Sequence, residues 1–138
     1  MKTQVVEKVL SANDTGETGG HQSGILVPKD PIILGFFPSL NTSVKNPRAV
    51  LKVLDQAGRQ WSFNFIYYNN RFFGGTRNEF RLTGMTDFFR EFNLKAGDVV
   101  ILRQLYPGHV VNIDYRRASS NKRVLRLTGT WKVIEGDF

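Results

Sequence analysis

The stretch "RAVLKVLDQAGRQWSFNFIYYN", residues 48–69, constrains the fold more than any other. Val50, Lys52 and Leu54, then Trp61, Phe63, Phe65 and Tyr67, recur with a period of two. That period places alternate side chains on opposite faces of a strand, and "DQAG" between the two runs supplies the turn. The segment therefore predicts a β-hairpin. Further strands follow the same logic. "TQVVEKVLS" reads as a first strand, "GILVP" as a short one closed by Pro28, and "FRLTG" as another. "VVILRQL", "VVNIDYRR" and "RVLRLTGTWKVI" are separated by the turn-like "YPGH" and "SSNK". Two short helices interrupt them. "KDPIILGFFPSL" offers Asp30 as an N-cap with Pro31 at the first helical position. "TDFFREFNL" offers Thr86 as a cap, Asp87 near the positive helix end, and Phe88, Phe89 and Phe92 on one face. Strands dominate without long alternating helices, which argues against a parallel α/β sheet. The fold class expected is mostly β, an antiparallel barrel that is closed or half closed.

The chain has 138 residues, enough for a single domain spanning 1–138. Nineteen basic against twelve acidic residues leave a net charge of +7, which favours a polyanionic partner through counterion release. There are no cysteines and only two histidines, so disulfides are excluded and a structural zinc site is disfavoured. A reducing, cytoplasmic setting is expected. No apolar run approaches the ~18–20 residues of a membrane span, and "MKTQVVEKVL" lacks the apolar block of a secretion signal. No membrane partner is expected.

Two stretches do not read as core. The first is "SANDTGETGGHQSG", residues 11–24, with four glycines and no aliphatic side chain larger than Ala12. It lacks the Gly-Lys-Ser/Thr ending of a phosphate loop and leads into a strand, so a phosphate cradle is rejected. Ser11, Asp14, His21 and Ser23 could furnish a catalytic set only if the fold gathered them. On composition alone the stretch is a solvated loop. The second is "YYNNRFFGGTRNEFR", residues 67–81. Arg71, Arg77 and Arg81, with Asn69, Asn70, Asn78 and Glu79, are the side-chain types that read base edges: Arg for guanine, Asn for adenine, a carboxylate for the cytosine amino group. The competing reading is an Arg-rich hairpin tip with local ion pairs such as Arg77–Glu79. Asp30, Asp55, Asp87 and Asp98 each sit beside a turn or helix start, as backbone chemistry favours; Asp114 alone lies inside a strand. No gathered carboxylate–lysine set of a nuclease is visible, so catalysis by this chain alone is not expected. The basic cluster Arg116, Arg117, Lys122, Arg123, Arg126 and Lys132 suits phosphate contacts. The tryptophans and Phe63, Phe65, Phe88, Phe89 and Phe92 read as core.

Taken together, "LSANDTGETGGHQSGILVP" and "IYYNNRFFGGTRNEFRLT" resemble, in order, the two signature segments of the N-terminal DNA-binding domain of EcoRII-type restriction endonucleases. "FNLKAGDVVILRQL" resembles a segment of the plant B-three transcription-factor domains. The resemblance implies a seven-stranded, open pseudobarrel with two short capping helices. It implies two arms, about 11–24 and 69–81, that grip double-stranded DNA in the major groove at a site of the type CC(A/T)GG. It places Ser11, Asn13, Asp14, Thr15, His21 and Gln22 on the first arm. Asn69, Asn70, Arg71, Thr76, Arg77, Asn78, Glu79 and Arg81 fall on the second. Asp14 and Glu79 would meet cytosine amino groups, and the three arginines guanine edges. Glu17, Ser23 and Gly75 depart from the family pattern; Gly75 stands where a basic residue occurs. No cofactor is implied for this domain, whereas an attached or associated nuclease domain would use magnesium. Two other readings remain: a single-strand-binding barrel that stacks bases on Phe72, Phe73 or Tyr68, and a small nuclease using His21.

Overall fold

The hairpin read from residues 48–69 forms, with its first strand turned over relative to the second. In the computed structural model, which describes residues 3–16, 24–105, 110–118 and 131–134, strand β3 (Arg48–Leu54) pairs antiparallel with β4 (Gln60–Tyr68). Trp61, Phe63 and Phe65 of β4 are buried as the alternation predicts. On β3 the buried residues are Leu51 and Val53, whereas Val50 is 55% exposed. Register explains the reversal: Leu51 stands opposite Phe63 and Val53 opposite Trp61, so the inward face of β3 is the one facing the aromatic row.

The remaining strands are β1 (Gln4–Val9), β2 (Ile25–Val27), β5 (Glu79–Thr83), β6 (Val99–Gln104), β7 (Val111–Arg116) and β8 (Trp131–Ile134). They form one sheet in the order β2-β5-β4-β3-β7-β6-β1-β8. Among the described residues the strand count is therefore eight rather than the seven expected. Among the described residues every pairing is antiparallel except β3 with β7, which is parallel and spans just Val53↔Val111 and Leu54↔Asn112. Two antiparallel halves thus meet at a narrow seam. At the opposite side the sheet edges are bridged by a side chain: the indole N–H of Trp131 on β8 donates to the Leu26 carbonyl on β2 at 3.0 Å. The result is the open pseudobarrel, its interior filled by Phe63, Phe65, Leu82, Phe88, Val53 and Ile113 among others.

Three short α-helices accompany the sheet among the described residues, one more than the sequence suggested. Helix α1 (Ala12–Thr15) occupies the start of the stretch read as a loop. Helix α2 (Pro31–Leu34) begins as expected, with the Asp30 carboxylate accepting from the amides of Ile32 and Ile33 and Pro31 in the first turn. Helix α3 (Thr86–Glu91) starts one residue earlier than Thr86 could cap. The cap is Met85, which makes no side-chain capping bond and is itself buried, so packing positions this helix end. Its apolar face carries Phe88 and Phe89 into the core, with Trp61 set edge-on to Phe88 at 5.3 Å between centroids. Arg117 donates to the carbonyls of Phe92 and Asn93 just beyond this helix, satisfying acceptors a helix end leaves open.

Candidate nucleic-acid interface

The stretch expected to form the second arm, residues 69–81, links β4 to β5 and ends inside β5. Its root is Asn69, which is 1% exposed. The Asn69 amide oxygen accepts from the Asn46 backbone, and its amide nitrogen donates to the carbonyls of Thr42 and Val44. Asn69 is therefore a clamp that ties the 42–46 loop to the arm, and its donors and acceptors are turned inward. Beyond it, residues Asn70–Phe73 form one 3-10 turn that ends at Gly74 with φ of 89°. Asn70 closes this tip in two ways: its carbonyl accepts from the Gly75 amide at 2.7 Å, and its side-chain oxygen accepts from the Arg77 amide at 2.6 Å. A Cβ on residue 75 would lie 2.8 Å from the Asn70 side chain. The glycine at this position thus leaves room for the Asn70 amide.

Arg77, Glu79 and Arg81 follow with a spacing of two, which on an extended strand puts them on one face. They form a chain of charges. The Glu79 carboxylate accepts from Arg77 Nε at 3.0 Å and Nη2 at 2.7 Å, and from Arg81 Nη2 at 3.4 Å. Burial pushes the Glu79 pKa up, but the hydrogen bonds and charges of the two arginines outweigh it and hold the carboxyl below the usual glutamate range. Arg77 also lies over the Tyr68 ring at 3.7 Å, a cation–π contact that covers one face of that tyrosine. Side-chain exposure falls along the row, from 40% at Arg77 through 27% at Glu79 to 18% at Arg81. Asn78 is held from the other side: Tyr67 donates its hydroxyl proton to the Asn78 amide oxygen at 2.6 Å. Arg71 and Thr76 are exposed at the tip.

The described part of the first arm is built differently. Ser11 caps α1, and its side chain accepts from the Asp14 amide while the Asp14 carboxylate accepts from the Ser11 amide, a reciprocal capping box. The same carboxylate pairs with the Lys8 ammonium at 3.4 Å, with side-chain exposures of 5% and 10%. Burial lowers the Lys8 pKa and the Asp14 charge pulls it back up only in part. The Thr15 hydroxyl lies 3.3 Å from the Ala12 carbonyl as a donor, and Asn13 is half-buried on the same turn. His21 and Gln22 lie outside the described residues.

Gly24 brings the arms together. Its φ is 93°, and a Cβ there would sit 2.0 Å from the Leu82 carbonyl oxygen, so only glycine allows this approach. The Gly24 carbonyl accepts from Arg81 Nη1 at 3.2 Å. Strand β2 then pairs with β5, Leu26 opposite Arg81. The end of the first arm and the base of the second are in this way one hydrogen-bonded unit.

Sequence reasoning missed Lys8, Tyr67 and Gly24 as parts of the site. A lysine inside the apolar "VVEKVL" strand was the signal for a buried partner. The basic cluster near the C-terminus divides: Arg116 pairs with Glu7 at 3.1 Å and Arg117 serves α3, while Lys132 is exposed and Lys122, Arg123 and Arg126 lie outside the described residues. Asp114, the acid inside a strand, faces Arg103 at 3.7 Å. Among the described residues no group of three or more His, Asp or Glu could hold a metal ion, and no helix is long and apolar enough to cross a membrane.

The family model for the N-terminal domain of restriction endonuclease EcoRII matches residues 1–108. The type II restriction enzyme EcoRII of Escherichia coli is 48% identical over 79 residues, covering 55% of this chain and 19% of that enzyme. The B3 domain-containing transcription factor VAL3 of Arabidopsis thaliana is 33% identical over 118 residues, covering 85% of this chain and 14% of that protein. The chain therefore spans under a fifth of the length of these curated relatives. Among solved structures, the Arabidopsis FUS3–DNA complex superposes with a TM-score of 0.62 at 22% identity, covering 82% of this chain and 96% of that one. That likeness establishes the shared fold.

Proposed function

The chain belongs to the restriction endonuclease EcoRII N-terminal family, and on that premise we propose that it binds double-stranded DNA sequence-specifically through its two arms. The Arg77–Glu79–Arg81 row carries the reading. Two guanidinium groups suit the paired acceptors of guanine, and the carboxylate between them suits the cytosine amino group, which is the donor and acceptor set of adjacent C·G pairs in the major groove. The row is held in place by Tyr68, by the Gly24 carbonyl and by the Asn70-closed tip, so its geometry exists before DNA arrives. The site is of the CC(A/T)GG type. The domain serves as the recognition module of a type II restriction endonuclease, with cleavage assigned to an attached or associated magnesium-dependent nuclease domain.

Selection of bound sequences from a random duplex pool tests this directly. Enrichment of a short site with adjacent C·G pairs is expected, and recovery of no common sequence overturns the reading. The two exposed phenylalanines at the tip keep a single-strand-binding alternative in view. Competition decides it: unlabelled duplex should displace the labelled site far better than either separated strand.

A further inference from the structure

Phe72 and Phe73 close the tip of the second arm and have no place in the base-reading row. Phe72 is 66% exposed and Phe73 44%, and they are the only adjacent pair among the exposed large hydrophobics of the described residues. Their exposure is not that of a slack loop. The Phe72 amide donates to the Asn69 carbonyl at 3.0 Å, and the Arg71 amide donates to the Arg77 carbonyl at 2.9 Å. Asn69 below is buried and bonded on both sides of its amide. The rings are thus presented by the same rigid segment that carries Arg77 and Glu79, with the exposed Arg71 beside them.

We propose that the Phe72–Phe73 tip contacts the C5 methyl group of a pyrimidine on the floor of the major groove. The inference rests on the duplex-binding reading above and adds a specificity contact to it. The argument is one of complementarity. Base edges in the major groove offer hydrogen-bond donors and acceptors, and a single apolar feature, the methyl group at pyrimidine C5. An apolar tip fixed beside a base-reading row finds no other apolar partner there. The group is carried by thymine and equally by 5-methylcytosine, so the tip would sense either.

The test is fluorescence-anisotropy binding of the chain to a duplex containing CC(A/T)GG. In one duplex the single thymine of the site is replaced by deoxyuridine; in a second series each cytosine of the site is replaced in turn by 5-methylcytosine. For the unmodified chain, one thymine replacement should weaken binding about threefold to fivefold, the size expected for one buried methyl-sized group. If the tip faces a cytosine, its methylation should strengthen binding by a similar factor while the deoxyuridine replacement has no effect, and methylation that only weakens binding counts against the contact. Phe72→Ala, Phe73→Ala and the double variant should erase whichever effect is seen, and Phe72→Leu should keep part of it. A methyl effect of the same size in the double variant, or none in either series for the unmodified chain, overturns the inference and leaves duplex recognition standing. Failure of the unmodified chain to prefer CC(A/T)GG over a scrambled duplex overturns the proposed function itself.

Discussion

The two arms draw on the same residue types and use them in opposite ways. In the stem of the first arm Asp14 is turned into the molecule, where it completes a capping box and neutralises the buried Lys8. In the second arm Glu79 is turned outward, between two arginines and on a strand face that remains partly open. A carboxylate is therefore a structural group in one arm and a presented group in the other. What decides the difference is the partner brought by the fold: a lysine from β1 in the first case, arginines two residues away on the same strand in the second. The first arm's stem depends on tertiary packing, and the second arm carries much of its own support.

Substitutions can break that contrast. The largest effect is expected where the arms meet. Gly24→Ala combines a forbidden backbone conformation with a clash against Leu82 and should destabilise the fold by about 4 kcal/mol in chemical denaturation. Next, Asp14→Ala leaves Lys8 buried without its partner and removes the cap, for a loss of about 3 kcal/mol of stability. If Asp14 instead reads a base, affinity will fall while the unfolding midpoint holds, and the contrast between the arms collapses. Arg77→Ala or Glu79→Ala should do the reverse: affinity for the selected site drops by about 2 kcal/mol in a gel-shift titration, non-specific binding changes little, and stability moves by less than about 1 kcal/mol. Gly75→Ala displaces the Asn70 side chain from the Arg77 amide and should weaken specific binding by about 1 kcal/mol. The smallest effect is one of pH. Because the folded-state pKa of Glu79 is depressed, its pairing stabilises the fold above the ordinary glutamate range and is lost as pH falls through the lowered value. The stability gap between the unmodified chain and Glu79→Gln, under about 1 kcal/mol at this partly exposed site, should be present at neutral pH and vanish in acid.

Much of this architecture is legible in the residues. The period-two runs and "DQAG" locate the central hairpin, and Asp30 with Pro31 locates the start of α2, because turn and cap chemistry act over a few residues. The same locality makes Arg77, Glu79 and Arg81 visible as one row. What escapes a linear reading depends on distant partners. The inward face of β3 is set by register against β4, and the burial of Asn69 is set by a loop more than twenty residues away. Helix α1 hid in a glycine-rich stretch because its four residues carry no periodic apolar face, and its cap is shared with a lysine from the preceding strand.

The Arg77–Glu79–Arg81 row also bears on how such a domain would search DNA. Two guanidinium groups and one carboxylate leave the row with a single net positive charge, so it adds little to the salt-sensitive attraction that holds a protein on any sequence. Its charges are already paired with one another, and an unmatched stretch of phosphates gains little by separating them. A matched pair of base edges can replace those internal bonds with bonds of equal kind. Dwell time would then be decided at the bases, and a domain sliding past the wrong sequence would leave it quickly.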